Sequence, residues 1–149
     1  LKIARPDIDL TLLDGTMKRL NFLGEVCTAL KLSVRRIHKR AEEAGLDKTM
    51  RERYDVATAR AVANLPVLAE YCMPLIKMKG YFIAMKGPGA EQELEAAGNA
   101  LDILGAGEPE VLSLTLPGGE ERSLVICQKL RFTPKGYPRH GGTILKHPL

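Results

Sequence analysis

The chain has 149 residues, 45% of them hydrophobic and 27% charged, which is ordinary for one globular domain with a sizeable core. No apolar run approaches the roughly 18 residues of a membrane helix and no signal-peptide pattern is present, so we expect a cytoplasmic protein. The first residues, 1–6, have the pattern of a last helical turn before a proline and no initiating methionine. We therefore expect the later part of a longer polypeptide.

A short β-type run over residues 9–14 ends in the carboxylate of Asp14, and Gly15 and Thr16 follow it. Apolar residues then recur at three and four residues: Leu20, Leu23, Val26, Cys27 and Leu30. This pattern predicts a strand, a turn and an amphipathic helix with Thr16 as the N-cap. An acid in the place of Asp14 can accept hydrogen bonds from both ribose hydroxyls of a nucleotide cofactor, or it can favour the helix start through the macrodipole.

The next elements are a weak, basic strand over residues 34–40 and a charged segment over residues 45–53, predicted as a loop with a helical turn. Between them lie Ala41, Glu42 and Glu43. His38 has no His or Cys partner at ligand spacing, so we expect no metal site. The three cysteines lie far apart in apolar runs, which favours buried, reduced thiols.

The apolar run Tyr54–Arg60 is followed directly by a helical pattern, so it is predicted to be a buried strand that leads into a helix. In open α/β sheets the carboxyl ends of the strands face the ligand crevice. Arg60 is therefore a candidate site residue. The alternative is an arginine that pairs with a nearby carboxylate.

The remaining pattern alternates helices and strands. Asn64 is predicted to cap a helix that Pro74 kinks or ends. One face of this helix is expected to carry Leu65, Leu68, Ala69, Cys72, Leu75 and Ile76. Residues 81–85 are predicted to form a buried strand. Residues 91–104 form a helix that stops at Gly105, and two strands flank Pro117-Gly118-Gly119 as an antiparallel hairpin. The fold class is therefore α/β, with a mostly parallel sheet, helices on both faces and one antiparallel pair.

The C-terminal end is strongly basic, because no acid follows Glu121. Its six cations are Arg122, Lys129, Arg131, Lys135, Arg139 and Lys146. Such a surface is typical of a polyanion contact, although it could also be merely solvated. We expect two parts: residues 1–130 as the main domain and residues 131–149 as a basic tail.

With these residues laid out, the chain resembles the glucose-inhibited division protein B family, the bacterial 16S ribosomal RNA guanine-N7 methyltransferases. The similarity runs from end to end. It is carried by Leu12-Leu13-Asp14, Lys18-Arg19, Phe22-Leu23, Arg40-Ala41-Glu42, Tyr54-Asp55, Thr58-Ala59-Arg60-Ala61-Val62-Ala63, Leu75-Ile76-Lys77, Met85-Lys86-Gly87, Tyr137-Pro138-Arg139 and His147-Pro148-Leu149.

The resemblance implies a Rossmann-like class I S-adenosylmethionine-dependent methyltransferase sheet with a C-terminal antiparallel hairpin. It implies that Asp14, Gly15 and Thr16 lie against the cofactor ribose, that Ala41 and Glu42 border the adenine, and that Arg60 lies near the reaction centre. It also implies that 16S rRNA or the small ribosomal subunit is the partner. The basic tail is then the expected RNA contact, through Lys135, Tyr137, Arg139 and Lys146.

The family's first strand and its glycine-rich loop have no counterpart in the chain. In such sheets the first strand lies between the second and the fourth, so we expect unpaired strand edges and either non-standard pairing or association with another copy.

Two other functions stay open on sequence alone. A non-catalytic RNA- or ribosome-binding module needs no S-adenosylmethionine. A nicotinamide-dependent dehydrogenase could use Asp14 in the same way, but the basic tail does not favour it.

Overall fold

In the computed structural model, which describes residues 1–149, the chain forms two units, Leu1–Glu43 and Ala44–Leu149. The first unit contains strand β1 (Thr11–Asp14), helix α1 (Met17–Ala29) and strand β2 (Arg35–His38). The two strands are parallel, and Asp14 lies opposite His38 at their carboxyl ends. Helix α2 (Ala41–Leu46) begins in this unit and ends in the next. The predicted strand, turn, helix and second strand are therefore confirmed.

The second unit has a four-stranded sheet. Its elements are β3 (Tyr54–Arg60), α3 (Leu65–Cys72), β4 (Ile76–Lys86), α4 (Ala90–Leu104), β5 (Glu110–Thr115), β6 (Glu121–Gln128) and α5 (Gly141–Lys146). The strand order is β3-β4-β6-β5, with β3 parallel to β4 and with β6 antiparallel to both of its neighbours. This order confirms the α/β fold and the closing antiparallel hairpin. The sheet of this unit is not mostly parallel, however, because β6 is antiparallel to β4 as well as to β5.

The core of the second unit lies between one face of this sheet and the helices α3 and α4. Alternate residues of the strands point to that face, as the two-residue period requires: Phe82 and Ala84 of β4, and Val125 and Cys127 of β6. The helices contribute leucines and alanines at helical spacing, namely Leu65, Leu68, Ala97, Ala100, Leu101 and Leu104. The two helices begin and end where the sequence indicates: the Asn64 side chain accepts a hydrogen bond from the Val67 amide, and Gly105 ends α4 at φ +90°.

The structure differs from the sequence analysis in three places. Strand β3 is not buried, because it is hydrogen-bonded only to β4 and is an edge strand; Val56 is 45% exposed. Ile76 belongs to β4 and not to the preceding helix, because Pro74 and a 3₁₀ turn over Met73–Leu75 end that helix early. The short helix α5 was not predicted, since six residues give too little periodicity to detect.

No helix combines the length and the apolar character that crossing a bilayer requires.

Candidate functional site

The carboxylate of Asp14 organises the turn after β1. One of its oxygens accepts a hydrogen bond from the Thr16 amide at 2.7 Å, and the other contacts the Arg19 guanidinium at 3.1 Å. The side chain is 21% exposed. A carboxylate offers about four acceptor positions, so two remain for donors from a ligand. Thr16 does occupy the N-cap position of α1, but its side chain makes no capping hydrogen bond there.

The end of β2 fixes the same turn from its other side. The His38 Nε2 lies 3.1 Å from the Gly15 carbonyl oxygen, and the Lys39 amide donates to the Asp14 carbonyl at 3.3 Å. Because a carbonyl only accepts, Nε2 must carry the proton in this contact. The turn of Asp14, Gly15 and Thr16, of which Gly15 and Thr16 are exposed, is thus held by the two adjacent strand ends.

The segment after β2 places a second acid close by. The Arg40 Nε donates to a Glu42 oxygen at 2.8 Å, and the Glu42 side chain is only 10% exposed. The Arg40 Cγ also lies 3.5 Å from the point where a Gly15 Cβ would stand. Within the first unit, the predicted ribose residues and the predicted adenine residues Ala41 and Glu42 therefore lie around one end of the two-stranded sheet.

Arg60 lies in the second unit, at the carboxyl end of β3, where it pairs in register with Met85 of β4. Its side chain is exposed, and its guanidinium makes no hydrogen bond or ion pair within the chain. The alternative of a neighbouring carboxylate partner is therefore not realised. An unpaired cation at a strand end is free to bind an external acceptor.

The turn that follows Arg60 has an unusual backbone. Ala61 has φ +53°, in the left-handed region that non-glycine residues rarely adopt, at a cost of roughly 1–2 kcal/mol. Asn64 then starts α3. A non-glycine residue persists in this conformation only where its surroundings fix it.

The basic C-terminal segment is not a free tail. The Arg139 guanidinium lies on the Glu70 carboxylate of α3, with Nε to Oε1 at 2.9 Å and Nη2 to Oε2 at 2.7 Å. The Arg139 amide donates to the same carboxylate at 2.7 Å. Glu70 is fully buried, and the bond with its carboxylate raises the pKa of Arg139 above its ordinary value.

Arg51 holds the same segment by hydrogen bonds from its side chain to the backbone of the segment. Its guanidinium donates to the carbonyl oxygens of Thr133, Pro134 and Tyr137 at 2.7, 3.2 and 2.7 Å, and to that of Gly45 at 2.9 Å. Tyr137 packs against the core as well. Of the four residues proposed to contact RNA, only Lys135 and Lys146 are both exposed and without an internal partner.

A buried ion pair was missed by the sequence analysis. Lys129 is fully buried at the end of β6, and its Nζ donates to a Glu52 oxygen and to the Met73 carbonyl, both at 2.8 Å. The same Glu52 oxygen accepts the Thr133 amide at 3.0 Å. Burial lowers the pKa of Lys129. No sequence signal could have indicated this pair, because its members are 77 positions apart.

A separate cleft lies where α4 begins, between the turn of Pro88 and Gly89 and the hairpin strands β5 and β6, and none of the predicted site residues lines it. No group of three or more His, Cys, Asp and Glu side chains is placed to hold a metal ion.

The model of the family described as rRNA small subunit methyltransferase G matches residues 1–125. A protein of Lactobacillus johnsonii named "Ribosomal RNA small subunit methyltransferase G" is 46% identical over 100% of this chain and 63% of its own length. A Clostridium botulinum protein of the same name is 44% identical over the same shares. The chain thus spans 63% of the length of these relatives.

Solved structures with much lower identity share the fold. An rRNA methylase from Streptococcus thermophilus superposes with a TM-score of 0.58 at 16% identity, covering 83% of this chain and 74% of its own. A methyltransferase from Pyrococcus furiosus gives a TM-score of 0.67 at 14% identity, covering 87% of this chain and 67% of its own. The fold is therefore the Rossmann-like fold of these methyltransferases.

Proposed function

Because the chain belongs to the rRNA small subunit methyltransferase G family, we propose that it carries the S-adenosylmethionine-dependent methylation of a guanine N7 in 16S rRNA. The observation that carries this proposal is the match to relatives of that name along the entire chain. Because the proposed substrate is ribosomal, we further propose that the protein acts in the cytoplasm, on 16S rRNA or the small ribosomal subunit.

The residues around Asp14 fit the proposed cofactor. The carboxylate keeps acceptor positions for the two ribose hydroxyls, the turn through Gly15 and Thr16 is exposed, and Glu42 lies at the end of the neighbouring strand. We propose that Asp14, Gly15 and Thr16 hold the ribose and that Ala41 and Glu42 border the adenine. When bound, the cofactor supplies a methyl group on a positively charged sulfur.

The proposed reaction requires positioning more than proton transfer. Guanine N7 has a free lone pair, so the new nitrogen–carbon bond forms as the sulfur–carbon bond breaks, and no proton has to be removed first. The enzyme then contributes alignment and electrostatics, not a general base. The free guanidinium of Arg60 suits this role, because it can orient a carboxylate of the cofactor or an acceptor on the base.

RNA phosphates are proposed to contact the C-terminal segment. Lys135 and Lys146 are the exposed, unpaired cations there, whereas Tyr137 and Arg139 also bind the rest of the unit. We further propose that the unpaired edges of β1, β2 and β3 support self-association of the chain. A monomeric sedimentation profile combined with one sharp unfolding transition would contradict that association.

The deciding experiment measures transfer of a labelled methyl group from S-adenosylmethionine to 16S rRNA that lacks the modification. The chain and the complete gene product are assayed side by side, and cofactor binding is measured by calorimetry. We expect the complete product to transfer the label to a guanine N7. If it binds RNA but neither binds the cofactor nor transfers the label, the protein is a non-catalytic RNA-binding module.

A further inference from the structure

The turn between β3 and α3 is held by two charged side chains from other elements. Lys86, the last residue of β4, donates from Nζ to the Ala63 carbonyl at 3.0 Å. Glu93, in the first part of α4, accepts the Leu65 amide at 2.9 Å. The two side chains bind each other at 2.7 Å. We call Lys86 and Glu93 the turn brace.

These contacts and the backbone of residues 63–65 together form a closed ring. The Ala63 carbonyl and the Leu65 amide lie on either side of Asn64, and each is hydrogen-bonded to one member of the turn brace. Lys86 is only 10% exposed, so its charge is largely shielded from water and is compensated by Glu93. Glu93 also satisfies one of the orphan amides at the N-terminus of α3, where a negative charge is favoured by the helix dipole.

The held turn begins one residue after Arg60. Arg60 itself has no partner, and Ala61 keeps a left-handed backbone that its own side chain does not favour. The Arg60 Cα is fixed on one side by the pairing of β3 with β4, and on the other by the turn that Lys86 and Glu93 hold. A long, unpaired side chain can orient a reactant reproducibly only if the backbone that carries it is fixed.

On the basis of the proposed function, we infer that Lys86 and Glu93 are positioning residues that set the direction in which Arg60 leaves the sheet. They act through the peptide groups of residues 63–65 and not through contact with the substrate. Their loss should therefore lower the rate of methyl transfer through Arg60 alone.

The test uses the complete gene product with the substitutions Glu93→Gln and Lys86→Met. We expect kcat/KM for methyl transfer to fall roughly tenfold in each, because a small displacement of a catalytic group is costly. We also expect faster hydrogen exchange at the Leu65 amide. Lys86→Arg keeps a donor and a charge, so it should restore most of the rate. Glu91→Gln is the matched control, since Glu91 lies on the same helix, is exposed and has no partner.

A double variant separates positioning from general damage. If the turn brace acts through Arg60, adding Glu93→Gln to Arg60→Ala should lower kcat/KM no further, because the two changes remove the same contribution. Independent, additive losses would overturn the inference, as would a Glu93→Gln rate equal to that of Glu91→Gln. If the unmodified protein transfers no methyl group, the proposed function fails instead, and unchanged Leu65 exchange in Glu93→Gln would then refute the turn brace separately.

Discussion

At the scale of single residues, the charged side chains of the second unit fall into two groups. Arg51, Glu70, Lys129 and Arg139 are bound inside the fold, whereas Arg60 is free. Sequence spacing indicated Arg60 because the residue closes a strand whose limits were predicted correctly. It could not show that Arg139 pairs with Glu70, because 69 positions separate them and only the tertiary fold brings them together.

Replacing Arg60 with alanine tests its proposed role. The side chain is exposed and unpaired, so we expect the free energy of unfolding to change by no more than about 0.5 kcal/mol. Methyl transfer by the complete gene product should fall on the order of 100-fold if the guanidinium orients the reactants. Activity and urea unfolding are measured on the same preparations. A loss of stability that accounts for the loss of activity would count against the role.

Replacing Glu70 with alanine leaves the Arg139 guanidinium without its partner. We expect a loss of roughly 1–3 kcal/mol in the free energy of unfolding, because the Arg139 amide and a guanidinium that is 24% exposed both lose their acceptor. Lys135→Ala, on the exposed part of the same segment, should cost almost nothing and serves as the control. Equal unfolding midpoints for the two variants would show that the pair contributes little.

Because Cys72 and Cys127 are buried, we expect the free energy of unfolding to fall as the pH becomes alkaline. Burial raises the pKa of Cys72 to about 12 and that of Cys127 to about 11, from an ordinary value of 9.0. In the unfolded chain the two thiols lose their protons near pH 9.0, whereas in the native protein they keep them to higher pH. The stability of the native state is therefore unaffected by these thiols below pH 9.0 and falls as the pH rises above it.

We therefore expect about 2 kcal/mol of lost stability per thiol between pH 8 and pH 10.5. Urea unfolding at the two pH values should show a smaller loss for a variant with Cys72→Ala and Cys127→Ala. The remaining loss, from groups common to both proteins, is the internal reference. Identical losses in the parent and the variant would mean that the thiols are not shielded.

At the scale of secondary-structure elements, local signals predicted most of the chain, and tertiary context explains the errors. Asn64, Pro74 and Gly105 act on their own backbone and mark where helices begin or end. Whether a strand is buried depends on its neighbours in the sheet. The apolar run of β3 resembles a central strand, yet β3 is an edge in this sheet, and the period of its residues cannot reveal that.

Substitution of Gly105 tests how much the end of helix α4 contributes to stability. Its φ is +90°, and an added Cβ would lie 2.3 Å from the Arg131 carbonyl oxygen. We expect Gly105→Ala to cost more than about 1 kcal/mol, seen as a lower melting temperature. Gly98→Ala, within the same helix and with open space at its Cβ, should stabilise by about 0.5–1 kcal/mol. The two substitutions should thus move the melting temperature in opposite directions.

At the scale of the whole molecule, the distribution of charge suggested an RNA-binding tail, and the structure shows that the tail belongs to the folded second unit. Composition counts cations but does not show which are engaged. Arg139 and Lys129 are paired with acids that precede them by many positions, whereas Lys135 and Lys146 remain available.

Changing Lys135 and Lys146 together to glutamine should flatten the salt dependence of RNA binding. Each phosphate contact to a single strand contributes a slope of about 0.7, so we expect a decrease of about 1.4 in the magnitude of the log–log slope. Filter binding from 50 to 200 mM salt gives the slopes. Two lysines of the first unit, Lys18 and Lys31, changed in the same way, are the control for net charge. A slope equal to that of the parent would mean that the segment does not touch phosphate.

The contact of Arg51 with residues 133–137 bears on how this surface can change during evolution. The guanidinium binds the carbonyl oxygens of Thr133, Pro134 and Tyr137, so the Lys135 side chain is not needed for docking. That position can accept substitutions while the segment keeps its path. The outer face of the segment, where we propose the RNA contact, can therefore change in sequence without loss of the fold that presents it.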